Sequence, residues 1–233
     1  MNKALGSLVF RILGLIISSL GVILHLLEKT PSDTGFMINH KPAYFTIQTN
    51  IMIALLFLFL VCKTVQTLKD RKQLQTASFH PSLHLCLSVY ITITMLGFWL
   101  LLVPVTGLAR DPALLLNSLT LHLITPLWAI TDYLLFVPHG HVKMKDIPAW
   151  MIYPVLYLIS VFLLSRVITE PYYSFVINGN KISLMMPYPF LDPSVMGSVG
   201  VIAAILSLFL FFLLLSWLAV RLDWKLGKIK KSA

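Results

Sequence analysis

The chain has 233 residues, 58% of them hydrophobic and only 12% charged, about half the charged share of an ordinary soluble domain. That composition leaves no room for a separate soluble domain and points to a membrane protein. A net charge of +9 raises nucleic acid as a partner, but the basic residues flank apolar runs, where they mark orientation and attraction to anionic lipid, so nucleic acid is set aside.

A helix needs roughly 20 apolar residues to cross a bilayer, and six runs supply them: 4–27, 43–66, 81–104, 113–137, 148–168 and 194–219. The expected fold is all-α, a single domain built as a bundle of six transmembrane helices. The first run follows a short basic start, as a secretory signal does. Arg11 interrupts it, it is too long, and it lacks a small-x-small cleavage site, so it is expected to remain as a helix. Cys62 and Cys86 fall inside the second and third runs and read as small packing residues without a disulfide. Assigning Lys and Arg to alternate sides puts thirteen with the N-terminus and five (Lys29, Lys41, Arg110, Arg166 and Lys181) opposite; by the positive-inside rule both termini are cytoplasmic. The outer loop 169–192 carries Asn178-Gly179-Asn180 between two β-prone runs, a hairpin signal. Two readings of it stand, a hairpin lid over the outer face and an interfacial loop with tyrosines at headgroup level. In the last run, Gly200 and Ala204 form a small-xxx-small pair of the kind that packs helices closely.

Polar groups are costly inside a bilayer, so those within the runs are where function is sought. Thr46 begins a patch, Thr46-Ile47-Gln48-Thr49-Asn50, at the outer end of the second run. Its hydroxyl becomes a nucleophile when a base takes its proton, and the Gln48 and Asn50 amides offer oxyanion donors; an interhelical hydrogen-bond cluster is the plainer alternative. His122 stands roughly 13 Å below the outer end of the fourth run by helical rise, against about 5 Å for Thr46. A neutral imidazole there serves as a general base or as a simple bridge between helices. Asn117 and Thr125 are the nearest residues to steady it, and Pro126 is placed to bend its helix. Asp132 lies about 15 Å further along, too far to orient the ring, and is expected at the cytoplasmic interface or against a polar neighbour. No phosphate loop, H-E-x-x-H or G-x-S-x-G pattern occurs. His139 and His141 read as part of a solvated loop and not as a zinc site. His25, His84 and His122 stand at different depths, which argues against axial haem ligands.

Ala43-Tyr44-Phe45-Thr46 opening the second run, and Asn117-Ser118-Leu119-Thr120-Leu121-His122 leading to Pro126 in the fourth, resemble the androgen-induced protein family of six-span threonine hydrolases that cleave fatty acid esters of hydroxy fatty acids. The resemblance covers the whole chain in topology and implies Thr46 as nucleophile, His122 as base, a lipid ester entering sideways from the membrane, and no cofactor or metal. Arg110 and Arg166 would hold a substrate carboxylate or anchor the interface. The polar Gln48-Thr49-Asn50 patch departs from animal members, so the chain looks more like a bacterial relative, in a cytoplasmic membrane. The competing class is a non-catalytic lipid or small-molecule binding protein or carrier, although a carrier's inverted repeats or broken half-helices are not visible.

Overall fold

The computed structural model describes residues 3–27, 37–69, 80–106, 118–177 and 180–232. Helix α1 (Lys3–Leu27) and α2 (Phe45–Lys69) pack along each other, and α2 leads to α3 (Pro81–Gly97), which runs on through a π-helical turn, Phe98–Leu102, into Val103–Thr106. A second π turn, Thr120–Ile124, precedes α4 (Thr125–Phe136). A short helix at Ile147–Trp150 leads into α5 (Ile152–Leu164), and α6 (Pro193–Ser232) closes the chain. Among the described residues five helices are long and apolar enough to cross a membrane: Lys3–Leu27, Phe45–Lys69, Pro81–Leu102, Met144–Leu164 and Pro193–Ile229. The expected fourth span is described over 118–136 only, where it is helical throughout.

α1 shows how a chain with an apolar surroundings forms a bundle. Its buried face is Ala4, Ser7, Arg11, Gly14, Ser18 and Gly21 at alternating spacings of three and four, while Leu5, Val9, Ile12, Ile16 and Leu20 point outward. With lipid as solvent, large apolar side chains have nothing to gain by burial, and small residues admit close neighbours. A Cβ on Gly14 would lie 2.8 Å from Trp128 and 2.9 Å from Phe57, and one on Gly21 2.6 Å from Thr120. These contacts set the spacing of α1 against α2 and α4. Ser7 and Ser18 return their hydroxyls to Ala4 and Gly14 carbonyls of their own helix.

The expectation of an all-α chain is exceeded by a small antiparallel sheet in the order β1 (Met37–Ile38), β2 (Tyr173–Ile177), β3 (Asn180–Leu184). Its register pairs Tyr173 with Leu184 and Ile177 with Asn180, and Ile38 with Tyr173. Asn178 and Gly179 themselves lie outside the described residues. Tyr172 and Leu184 at the base of the hairpin are buried against Val22, Tyr44, Ile47, Phe98 and Leu121, and the Tyr44 hydroxyl donates to the Tyr172 carbonyl at 2.8 Å. Asp192 ties the sheet to the last helix: it accepts from Met185 N on one oxygen and from Ser194 N and Oγ on the other.

Four sequence expectations are corrected here. α6 extends well past residue 219 and breaks only at Gly197, whose φ of 65° and ψ of 162° are non-helical. After that break it is roughly 50 Å long by helical rise, well beyond a hydrocarbon core of about 30 Å. Its end docks onto the 138–142 loop: buried Asp223 accepts from the Tyr133 hydroxyl, Gly140 N and Val142 N, with His139 Nδ1 at 3.3 Å, and Gly227 meets Gly140 so closely that a Cβ would lie 2.7 Å from the latter's Cα. His139 is therefore buried and paired, not solvated; His141 is exposed. Gly200 has only Met196 of its own helix within reach of a Cβ, so that half of the small-xxx-small pair packs no neighbouring helix among the described residues. Cys86 is buried as a packing residue, whereas Cys62 is exposed on the outside of α2.

Candidate functional site

At the end of the bundle away from the chain termini, a cavity of about 190 Å³ opens between the start of α2, the end of α3, the π turn before α4, and α5 and α6. Thr46 and His122 both line it. The backbone that carries His122 is irregular, a π turn over Thr120–Ile124. Pro126 is the cause. It has no N–H, so the His122 carbonyl four residues before it has no helical donor, and Thr125 N bonds the Thr120 carbonyl five residues back, which leaves the Leu121 carbonyl without its helical donor as well. Trp99 Nε1 donates to the His122 carbonyl at 3.1 Å and Asn50 Nδ2 to the Leu121 carbonyl at 3.2 Å. The helix widens into a π turn at that point, as helices do at functional sites.

Within this turn the His122 ring is held on two sides. Its Nδ1 lies 2.9 Å from the Ser118 carbonyl, and a carbonyl can only accept, so Nδ1 carries the proton and Nε2 the lone pair. The ring stacks on Phe98, centroids 3.7 Å apart at 16°. Phe98 opens the other π turn, so the two irregular segments meet face to face at the site. Ser118 thus does what was expected of Asn117 and Thr125. Thr125 is buried without bonding the imidazole, and Asn117 lies outside the described residues.

Thr46 stands in the first turn of α2. Its carbonyl accepts from Thr49 Oγ1 at 3.1 Å and from Asn50 Nδ2 at 2.8 Å, and Thr49 goes on to meet the Thr94 hydroxyl of α3 at 2.8 Å. Asn50 therefore supports the site by joining the start of α2 to the π turn, and its amide is turned away from any oxyanion position. Gln48 is occupied with Tyr153 and the Pro42 carbonyl. Neither lines the cavity.

Tyr157 and Tyr188 line the cavity with Thr46: the Tyr157 hydroxyl accepts from Phe45 N at 3.2 Å, and the Tyr188 ring meets that of Tyr44 edge-on at 5.9 Å. Burial holds the Tyr188 phenol above its usual range, so it stays protonated and able to donate. Tyr188 belongs to Pro187-Tyr188-Pro189-Phe190-Leu191, all of which line the cavity. Among the described residues it is this segment after the hairpin, and not the hairpin expected as a lid, that lines the cavity. The run of prolines and aromatics was visible in the sequence; its direction toward the cavity was not.

Of the two arginines expected to hold a carboxylate, Arg166 is exposed after the end of α5 and does not line the cavity, and Arg110 lies outside the described residues. Lys41 lines the cavity instead. Asp132 proves to be half of a buried ion pair: Arg11 Nε donates to it at 2.9 Å, a second Arg11 nitrogen reaches it at 3.4 Å and a third donates to Thr64 at 3.2 Å, with His84 Nε2 3.5 Å from the carboxylate. A depth count would have found this partner, because Arg11 stands roughly 10 Å and Asp132 roughly 8 Å in from the same side. No group of His, Cys, Asp and Glu able to hold a metal occurs among the described residues. Comparison with family models, with curated proteins and with solved structures finds no match to the chain.

Proposed function

We propose that the chain is an intramembrane lipid-ester hydrolase with Thr46 as nucleophile and His122 as general base. The observation that carries this reading is that both residues line one largely apolar cavity, with His122 held by Ser118 in the tautomer that leaves Nε2 basic. A general base needs that arrangement: one ring nitrogen anchored, the other open to a proton. His122 Nε2 takes the Thr46 proton as the substrate draws the two groups into hydrogen-bond reach, since catalytic contacts tighten in the substrate complex. The threonine oxygen attacks the ester carbonyl, Tyr188 donates to the developing oxyanion, and the alcohol leaves with the proton from His122. A water activated by the same nitrogen then releases the acid and restores Thr46.

The reading includes a six-span topology with both termini cytoplasmic, a site toward the outer leaflet, and residence in a bacterial cytoplasmic membrane. The six-span pattern and the positions of Thr46, His122 and Pro126, which resemble those of the androgen-induced family, support it. One observation favours the non-catalytic alternative, a lipid-binding protein or carrier: Thr46 and His122 share the cavity without a direct hydrogen bond.

Incubation of the purified protein with a fluorophosphonate, followed by mapping of the modified residue, separates the two. Labelling at Thr46 that His122→Ala abolishes is the expected result. Thr46→Ala and His122→Ala are expected to remove turnover of long-chain hydroxy-fatty-acid esters, as members of a unit that fails together, with thermal unfolding unchanged; Thr46→Ser keeps part of the activity. Alanine variants that hydrolyse as fast as wild type would overturn the assignment in favour of binding.

A further inference from the structure

α6 does not keep one neighbour along its length. The half nearer the C-terminus packs on α3: Phe212 and Val220 are buried in a cluster with Leu85, Val89 and Tyr90, and the Phe212 and Tyr90 rings stand 5.8 Å apart. Toward the cavity end α6 leans the other way, where Ile205 packs on the cluster that Tyr157 and Val161 of α5 form with Met186 and Leu191. The two helices meet at Tyr90 and Phe212 and part beyond them.

Gly97 stands where they have parted, about 10 Å of helical rise past Tyr90. It lines the cavity, it is half-buried, and a Cβ built on it would meet no described atom within 4 Å. Gly14 and Gly21, by contrast, are wedged against neighbouring side chains, so Gly97 is not a glycine that admits a helix. Leu101, one turn on along the same face, lines the cavity too and is 40% exposed. Leu208 and Phe209 of α6 line it and are half-buried. Residues that face a cavity and the exterior at once form the rim of an opening.

We propose that the gap between Gly97 and Leu101 on one side and Leu208 and Phe209 on the other is a side portal that admits one acyl chain from the bilayer to the cavity, and that the missing side chain of Gly97 sets its width. Both helices are long and apolar enough to cross a membrane, so hydrocarbon stands outside the rim. The four rim residues carry no polar side-chain atom. A headgroup crossing there would be stripped of water without a partner, whereas a methylene chain exchanges lipid contacts for similar ones. The reading of this chain as part of an ester that is cut rests on the hydrolase assignment, while the portal itself does not.

The test uses methyl palmitate carrying a diazirine near the chain end, added to the full chain in nanodiscs on a Thr46→Ala background so that turnover does not enter. Peptide mapping after irradiation separates adducts on Phe98 and Tyr157, which line the cavity and are buried, from adducts on Leu100, which is exposed and does not line it. Forcing a side chain into space that a ligand occupies costs what overpacking costs, about a tenfold or larger change in occupancy. Gly97→Phe is therefore expected to lower the interior adducts by at least that factor and Gly97→Leu by less, while Leu100→Phe matches the parent protein. Interior labelling in Gly97→Phe equal to the parent's, an equal loss in Leu100→Phe, or no interior adducts in the parent would overturn the proposal; should Gly97→Phe fail to assemble, Leu208→Trp narrows the same gap from α6. Failure of the hydrolase reading has a different signature, since fluorophosphonate would then leave Thr46 of the unaltered chain unlabelled while the interior adducts and their loss in Gly97→Phe persist.

Discussion

Tyr188 is the residue whose role is least visible in the sequence and most open to test. It lines the cavity with Thr46 from a segment that contributes no helix to the bundle. Removing one oxyanion donor lowers kcat by about a hundredfold or more in hydrolases. Tyr188→Phe keeps the ring that packs on Tyr44 and Phe190, so kcat is expected to fall by about that factor with little change in KM, measured on a long-chain ester in liposomes. An unchanged kcat would remove Tyr188 from the mechanism. Because burial raises the phenol's pKa, it remains a donor through neutral and mildly alkaline pH, and its contribution should not titrate there.

At the scale of elements, the bundle is held by polar contacts that lipid cannot replace. The Arg11–Asp132 pair, both side chains fully buried, joins α1 to α4, and Arg11 extends to Thr64 of α2. Breaking such a pair from one side leaves an uncompensated charge and costs about 3–5 kcal/mol, whereas replacing both partners with apolar residues is close to neutral. Arg11→Met and Asp132→Leu are each expected to lower the thermal unfolding midpoint in detergent sharply, and the double variant to recover most of the loss. Additive losses in the double variant would show that the pair does not act as a unit. The π turns are the other device at this scale. Pro126 and the π turn before it leave two carbonyls without helical donors, and Trp99 and Asn50 replace them from the end of α3 and from α2, so a local defect becomes a junction of three helices beside the site.

For the whole molecule the claim at stake is orientation. Up-and-down helices place the start of α1 and the end of α6 at one end, and the sheet and cavity at the other. Single cysteines at Lys3, Lys225 and Glu170, in a background with Cys62 and Cys86 changed to serine, test it with an impermeant maleimide. Positions 3 and 225 are expected to label only from the cytoplasmic side and position 170 only from outside. Labelling of 3 and 225 from opposite sides would exclude the six-span arrangement. The long end of α6, with Arg221, Lys225 and Lys228 exposed and Asp223 clamping the 138–142 loop, lies beyond the apolar run that marked its span.

Five of the six expected spans coincide with helices long and apolar enough to cross a membrane, and they were legible in the sequence because hydrophobic length is a local property: each apolar run reports its own cost of leaving lipid, whatever its neighbours do. Thr46 and His122 stood out for the same reason, as polar groups in apolar surroundings. What surrounds them was decided by tertiary structure. That Ser118 and not Thr125 holds the imidazole depends on ring geometry in a π turn. Which basic residue lines the cavity, Lys41 and not Arg166, depends on which loop folds back over it, and the pairing of Arg11 with Asp132 on two helices separated by 121 positions in sequence. Such contacts are fixed by packing between distant segments, and no local pattern of residues encodes the direction in which a side chain will point once those segments meet.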